Sequence, residues 1–595
     1  MIKFSTVAWD WDLTNFGLTF TEENDYFTET TTKSYSFPTS VKLTQEISEK
    51  LGLVEFEGAT DYASKIYGTL QIDNTFYDAY LSINEIEDDT AEITFFYGKE
   101  TLSVFDKKLK DLPFPVTIAT PDLNTFALSQ LDTAWPTATH QFVKVFRDDL
   151  SSKSNYKHFE YFLNNTKYDD IEEEWYFQEN ANETIDEEVV AVNKNVMVPM
   201  TYLLEVLKVG FKSEGLEIRG QMVQNEFIKK LLLVPQNFME QFASSQYLNY
   251  SFSAYTSQTQ VNGQTINIYK QSHTPTNVGS FELKIRINMS SLMAQYFKLT
   301  VVQDGVTLYE AFSENATVVI NETLDINIIN TNIFNDIDVE LHLVQQSESI
   351  ASYNHFTYEY KEGQLNIFPT VYTIADYLPD LTFREFFNRI KSWLNLDVIY
   401  SDNAVYLDFL ENNLPNFTFK NRSHLQDTKP KRITNTNNLF KLHYPNDEFV
   451  LVNKTGQTYN ESDFNTSEIS TIPFELQPLQ VRDNYNIVTA MYPEDEEDIM
   501  LILYNGTIAG ENLAIQSYNN QTLTAQDVYN HFWKLWLQFR ANAETVKDNF
   551  KMHYTEAINI KEGEYKYNTK RLIVSIRKQR LSTEWYNVEM TAETF

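Results

Sequence analysis

Cysteine is absent from the 595 residues of this chain. Its absence excludes a disulfide framework, a structural cysteine–zinc site, a thiol nucleophile and a lipid-modified cysteine. No run of about 18 apolar residues occurs, so the sequence predicts no membrane insertion. The first residues lack the charged and apolar regions of a signal peptide, and we therefore expect synthesis and folding in the cytoplasm.

Basic residues are few. The chain has 83 acidic residues against 47 basic ones, which gives a net charge of −36. Specific nucleic-acid binding needs basic surfaces that neutralise phosphates, so the composition argues against it. An acidic surface suits two other roles, which are simple solubility and a conduit through which DNA slides without being held.

The common catalytic motifs are also missing. The sequence has no nucleophile elbow, P-loop, dinucleotide fingerprint or H-E-x-x-H motif. Its nine histidines are scattered, and we interpret His531, on an aromatic helix, as structural. A glycosidase needs only two carboxylates from distant positions, but nothing singles out a pair. The sequence therefore predicts no catalytic, cofactor-binding or metal-binding residue, and no cofactor.

Two short acidic segments have oxygens that a hard cation such as calcium would accept. They are Asp10-Trp11-Asp12 and Asn335-Asp336-Ile337-Asp338. Neither is accompanied by the rest of a calcium-loop signature. We therefore interpret both as turns or strand edges.

The most regular pattern lies at residues 382–408, TFREFFNRIKSWLNLDVIYSDNAVYLD. Apolar residues at helical spacing predict a helix capped by Thr382, and alternation then predicts a strand, a turn and a second strand. The pattern partly recurs at residues 199–220, PMTYLLEVLKVGFKSEGLEIRG, where Gly215 ends the helix before a strand. This repetition predicts a scaffold of pseudo-repeated modules rather than one catalytic pocket.

The composition predicts an α+β fold that is mainly β. Hydrophobic residues are 42% and aromatic residues 14% of the chain, which favours globular, strand-rich structure. The length allows about three to five domains. We divide the chain into a β-rich module at 1–115, a mixed α/β module at 116–245, an inserted β-sandwich at 246–350, a helix plus β-hairpin module at 351–429 and a last β-rich module at 430–595.

Several single elements follow from local patterns. We predict a hairpin over 66–86 with its turn at Asp73-Asn74. Helices are predicted over 41–51, ended by Gly52, and over 102–109 and 524–539. Strands are predicted over 552–560, 564–567, 571–576 and 585–590.

Several segments resemble the tail-hub, or baseplate hub, proteins of tailed bacteriophages, particularly those that infect Bacteroidota. They are NDYFTE at 24–29 with YSFP at 35–38, the strands within 66–97 followed by KETLSVFDKKLKDLP, residues 199–233 as the closest match, and HFWKLWLQF with the final NTKRLIVSIRKQRLSTEWYNVEM. The resemblance covers most of the chain except 246–350, and it consists in the pattern and order of these segments.

The resemblance implies a non-enzymatic structural protein of the virion tail tip, assembled in the host cytoplasm. Hub proteins are typically homotrimers, and two β-barrel-like modules per subunit, here 1–115 and 430–595, make a pseudo-sixfold ring. Such a ring joins the tail tube and distal tail proteins to a central spike or fibre, and DNA passes through it without specific binding. No appended peptidase or lysozyme domain is recognisable, which argues against cell-wall cleavage.

Two other functions stay open at this point. One is a receptor- or glycan-binding tail protein that acts through the 246–350 sandwich, although this segment has no tryptophan on which a sugar would stack. The other is a cell-wall or polysaccharide hydrolase, which would need a carboxylate pair in a cleft.

Overall fold

Strands predominate in the computed structural model, and its α-helices are short. This agrees with the predicted mainly β composition. The residues that the structure describes are 2–28, 33–36, 38–52, 64–98, 102–186, 188–236, 238, 246–249, 255–273, 279–289, 296–303, 305–313, 318–328, 336–344, 355–360, 367–434, 439–459, 469–582 and 584–595.

Both ends of the chain contribute to one sheet, which we call the joined sheet. It has 14 strands, and eleven of them form its main path. From edge to edge, this path runs through Asp10–Asp12, Ile2–Ser5, Lys65–Ile72, Thr75–Glu87, Thr90–Tyr97, Lys33–Ser36, Thr19–Glu23, Thr569–Arg580, Trp585–Thr594, Thr545–His553 and Lys431–Ile433. Beside it lie Thr39–Lys42, Gly563–Lys566 and Phe419–Asn421. The path ends at two edges, and the described strands form no closed barrel.

The two halves of the joined sheet meet where Thr19–Glu23 pairs with Thr569–Arg580. Phe20 lies opposite Lys578, which in turn lies opposite Val588. Phe20 belongs to the apolar cluster of the N-terminal half, and Val588 belongs to that of the C-terminal half. Cross-strand partners share a face, so both clusters lie on the same face of the sheet.

The two helix-plus-strand segments pack together as one unit. The helices are Leu203–Lys212 and Phe383–Leu394, and the second begins with a capping box between Thr382 and Glu385. Their strands form one sheet, in which Glu217–Arg219 runs parallel to Ala404–Phe409, the second strand of the hairpin. The sequence predicted these elements. Their pairing with each other is a finding of the structure.

The segment around 246–350 forms two facing sheets. One contains Gln246–Asn249, His355–Tyr360, Gly279–Met289 and Val318–Ile328, and the other contains Ser257–Val261, Gln264–His273, Ile337–Val344, Phe297–Gln303 and Val306–Ser313. Buried side chains from both sheets, such as Ile285 and Leu341, share one apolar cluster. The unit continues to Tyr360, beyond the predicted limit. Residues 245, 350 and 351, which mark its predicted limits, lie outside the described residues.

Smaller sheets and hairpins connect these units. One sheet contains His140–Gln141, Met200–Tyr202, Leu231–Val234, Met500–Leu503 and Gln477–Pro478, and a second contains Phe162–Leu163, Val145–Phe146, Ile487–Met491 and Gln480–Asn484. A third contains Thr458–Tyr459, Phe449–Asn453, Leu439–His443 and Ile469–Pro473. Three two-stranded pairs are Thr166–Asp169 with Glu174–Phe177, Ala181–Ile185 with Glu188–Val192, and Val116–Ile118 with Val371–Thr373. The hairpin of the helix-plus-strand unit begins with Leu396–Tyr400. The remaining described α-helices are Gln45–Leu51, Leu123–Gln130, Gln221–Gln224, Leu410–Asn413, Ala525–Val528 and Lys534–Asn542.

The local predictions agree with the structure to different degrees. The hairpin turn at Asp73-Asn74 is confirmed, and so is the end of the first helix at Gly52, which has a φ of 89°. The predicted 102–109 helix is wrong, because only short 3₁₀ turns occur there. The 524–539 helix is interrupted by a π-helical turn at Tyr529–Trp533.

The strand predicted over 552–560 is also wrong. The strand ends at His553, and a loop follows. Ile558 and Ile560 produced the apolar signal, and both are buried against the C-terminal cluster from that loop. The apolar residues of this segment indicate that it is buried, and not that it forms a strand.

Replacing Gly210 by alanine tests the contact between the two helices. A Cβ at this position would overlap the buried ring of Phe383. Alanine favours a helix interior by about 1 kcal/mol over glycine, but overpacking typically costs about 1–3 kcal/mol. We expect Gly210→Ala to lower the free energy of unfolding by about 1–2 kcal/mol in urea denaturation. The control is Lys212→Ala, an exposed site on the same helix. Equal stability of the two variants would contradict this packing.

Candidate functional site

The turn after the Thr19–Glu23 strand holds the two ends of the chain together. The side-chain amide of Asn24 donates to the carbonyls of Ile560 (3.0 Å) and Ile573 (2.8 Å), and its backbone N–H donates to the carbonyl of Val574 (2.9 Å). Asn24 is buried, so these bonds satisfy polar groups that would otherwise be costly to bury. The turn thereby fixes the N-terminal half against the C-terminal half.

A buried ion cluster lies directly beside this turn. The ammonium group of Lys561 lies 3.0 Å from a carboxylate oxygen of Asp25 and 3.1 Å from one of Asp397, and it donates to the carbonyl of Val398 at 2.5 Å. Burial disfavours the charged form of Lys561, but the two carboxylates outweigh burial and raise its pKa above the ordinary value. Lys391 adds a bond of 2.7 Å to the carbonyl of Asp25. Three parts of the chain, near residues 25, 397 and 561, therefore meet at one cation.

A second charged group is buried in the C-terminal half of the joined sheet. Lys566 lies 2.8 Å from Asp548, while Arg571 lies 3.6 Å from Asp548 and 3.7 Å from Glu564. Burial raises the pKa of Glu564, although the neighbouring cations oppose that shift. Two cations and two carboxylates balance one another, which is the arrangement expected of a structural network.

A cleft of about 630 Å³ lies between the two halves of the joined sheet. Two of its lining carboxylates are ion-paired: Glu22 with Lys578 at 2.9 Å, and Asp73 with Arg580 at 3.4 Å. The hydroxyl of Tyr586 also donates to Asp73 at 2.6 Å, and burial together with this carboxylate raises the pKa of Tyr586. Both carboxylates are thus held in ion pairs with cations of the C-terminal half.

The two acidic segments that we considered as cation sites contain aspartates that lie in strands and pair with lysines. Asp10–Asp12 is an edge strand, as we predicted, and Asp10 pairs with Lys3 at 2.6 Å. Asp338 lies in a strand of the sandwich and pairs with Lys270 at 2.6 Å. Asn335 lies outside the described residues. Over the part of the chain that the structure describes, no group of three or more potential metal ligands occurs.

Two histidines, His531 and His140, also have hydrogen-bond partners within the fold. His531 is exposed, and its Nδ1 lies 2.8 Å from the carbonyl of Asp527. His140 is buried beside the hydroxyl of Tyr372 at 2.7 Å, and burial lowers the pKa of His140 to about 4. An imidazole with that pKa is neutral at physiological pH, and the contact fits a core hydrogen bond.

No protein-family model matches the chain, and a search of curated proteins finds no match. Among the described helices, none has the length and apolar character needed to cross a membrane. The candidate functional feature is the joined sheet, with its two edges and with its seam, which is the junction where Thr19–Glu23 meets Thr569–Arg580.

Replacing Lys561 by methionine tests the ion cluster at the seam. The variant leaves two buried carboxylates without their cation, and removing one partner of a buried ion pair typically costs about 3–5 kcal/mol. We expect Lys561→Met to lose that much free energy of unfolding in urea denaturation at pH 7. The control is Lys153→Met, which removes an exposed lysine.

The pH dependence of the same variant gives a second readout. Because the pKa of Lys561 is raised from 10.5 in the folded protein, its stabilising effect is present below pH 10.5 and is lost as the pH rises through the folded value. The difference between wild type and Lys561→Met should therefore narrow in that alkaline range. A difference that stays constant, or a variant as stable as its control, would show that the cluster does not hold the seam.

Proposed function

We propose that this chain is a structural virion protein of a phage tail tip, a homotrimeric hub ring. The ring joins the tail tube and distal tail proteins to a central spike or fibre and lets DNA pass. The observation that carries this proposal is the joined sheet, because strands from residues 2–97 and from residues 431–594 build one continuous surface. The resemblance of the terminal segments to hub proteins supports the same function.

In this proposal, the two halves of the joined sheet are the two modules of a hub subunit. Each half has its own apolar cluster, and both clusters lie on the same face. Three copies would present six such halves around an axis, which matches the sixfold symmetry of a tail tube. In this proposal the halves act as the barrel-like modules, and their remaining edges are completed by neighbouring subunits.

The charge and the site chemistry favour a structural role over catalysis. The net charge of −36 suits a surface along which DNA slides, because it repels phosphate. Two of the carboxylates that line the cleft, Glu22 and Asp73, are held in ion pairs with lysine and arginine. A hydrolase would need such groups to be available for proton transfer.

The solution mass of the full chain tests this proposal. We expect a species of three chains, each of 69.5 kDa, in analytical ultracentrifugation, and averaged electron micrographs should show threefold particles with an axial opening. Duplex DNA should not shift in a gel with this species at low salt, because the surface is acidic. A chain that stays monomeric at every concentration would contradict the hub and favour glycan attachment through the sandwich.

A further inference from the structure

The two ends of the joined sheet carry opposite charges. Asp10–Asp12, which we call the acidic edge strand, exposes both aspartates. Lys431–Ile433, which we call the basic edge strand, exposes all three of its residues, and Lys431 lies across from exposed Lys547 on the next strand. Basic clusters are unusual in a chain with 36 more negative than positive charges. Within the subunit, Asp10 pairs with Lys3 and Arg432 pairs with Glu544, so the difference in charge between the two edges comes mainly from Asp12 on one side and from Lys431 with Lys547 on the other.

The acidic edge strand directs backbone groups outward. Leu13 N–H donates to the carbonyl of Ile2, and Thr6 N–H donates to that of Trp9. Antiparallel bonding alternates, so between these bonds it is Trp11 that exchanges bonds with the inner strand. The amides and carbonyls of Asp10 and Asp12 therefore point away from the sheet. The carbonyl of Asp10 accepts from the side chain of Lys50 at 2.9 Å and keeps a second lone pair.

The basic edge strand directs the backbone N–H and carbonyl of one residue, Arg432, away from the sheet. Thr594 N–H donates to the carbonyl of Glu544, so alternation directs Val546 toward the Trp585–Thr594 strand. Thr545 and Lys547, on either side of Val546, then bond to the basic edge strand. Arg432 lies opposite Val546, and its N–H and carbonyl consequently point outward.

The strand directions allow the two edges to meet in a ring. The main path has eleven strands, and every neighbouring pair is antiparallel. Because the number of strands is odd, the first and the last run in the same direction. Rotation about an axis that runs parallel to these strands keeps their direction. It therefore brings the acidic edge strand of one copy beside the basic edge strand of the next, with the two strands parallel.

The faces of the two strands also match in this arrangement. In a parallel pair, an outward residue bonds to the residues on either side of its opposite partner. Arg432 opposite Trp11 would donate to the carbonyl of Asp10 and accept from the amide of Asp12. Trp11 and Val546 are both buried on the core face, so Arg432 and Trp11 fall on that face and Lys431 falls beside Asp10 on the other.

We infer that the acidic edge strand of one subunit pairs, parallel and in this register, with the basic edge strand of a second copy of the chain. This inference rests on the proposed trimeric hub and names the contact that closes it. Pairing of like edges is repelled by like charge, which disfavours a twofold dimer. A threefold ring requires head-to-tail contacts between two different surfaces, and the two edges supply them.

Charge reversal at one edge and then at both edges tests this contact. The acidic-edge variant is Asp10→Lys with Asp12→Lys, and the basic-edge variant is Lys431→Glu with Arg432→Glu. Each places like charges at the facing pair of residues 10 and 431, so we expect each to weaken self-association by about 100-fold or more in analytical ultracentrifugation. The variant with all four substitutions restores opposite charges and should recover the trimer.

The controls separate this contact from folding and from the hub itself. Asp170→Lys with Glu172→Lys reverses two exposed acids on a hairpin turn and should leave the trimer intact. Circular dichroism and thermal unfolding verify that each variant is folded. If the wild type is a trimer that neither single-edge variant weakens, or if the fourfold variant stays dissociated, the edge contact is wrong while the hub stands. A wild type that never trimerises contradicts the hub proposal as well.

Discussion

The junction between the two ends of the chain is built around one buried cation, Lys561, held between Asp25 and Asp397. The strands at the two ends of the chain are about 550 residues apart, and bringing them together costs the entropy of closing that loop. Contacts at the seam must offset this cost. Asn24 and Lys561 provide those contacts, since they join the first strands, the helix-plus-hairpin unit and the last strands at one point. The joined sheet, the cleft and the position of both edges follow from that junction.

The elements that the sequence predicts well are those fixed by local chemistry. The helix at Phe383–Leu394 follows from its apolar spacing and from the capping box of Thr382 and Glu385, and the hairpin follows from the turn at Asp73-Asn74. The pairing of Thr19–Glu23 with Thr569–Arg580 has no local signal, because it depends on partners at the other end of the chain. Alternation shows that a strand has two faces, but it does not show which strand lies next to it.

The candidate site was hidden from sequence analysis for a related reason. Asn24 and Asp25 lie in a stretch that resembles hub proteins, yet their partners Ile560 and Lys561 lie at the end of, and just after, a segment for which the sequence predicts a strand and the structure has a loop. The sequence of Asp10–Asp12 predicts a turn or a strand edge, and the structure has the strand edge, but its relation to Lys431–Ile433 follows only from the order of strands. The two oppositely charged segments can be considered as partners only because both are edge strands of the same sheet.

The lack of cysteine allows the central claim, a ring closed by the two edges of the joined sheet, to be measured directly. A chain carrying Asp10→Cys and Lys431→Cys has only these two thiols. Opposed residues on paired strands lie about 5 Å apart, within reach of a disulfide. If the two edges close a threefold ring, mild oxidation links the chains into dimers and trimers with nothing larger on a denaturing gel, while each single-cysteine chain stays monomeric. A double-cysteine chain that remains monomeric although the protein is trimeric, or a ladder that continues beyond three, would contradict it.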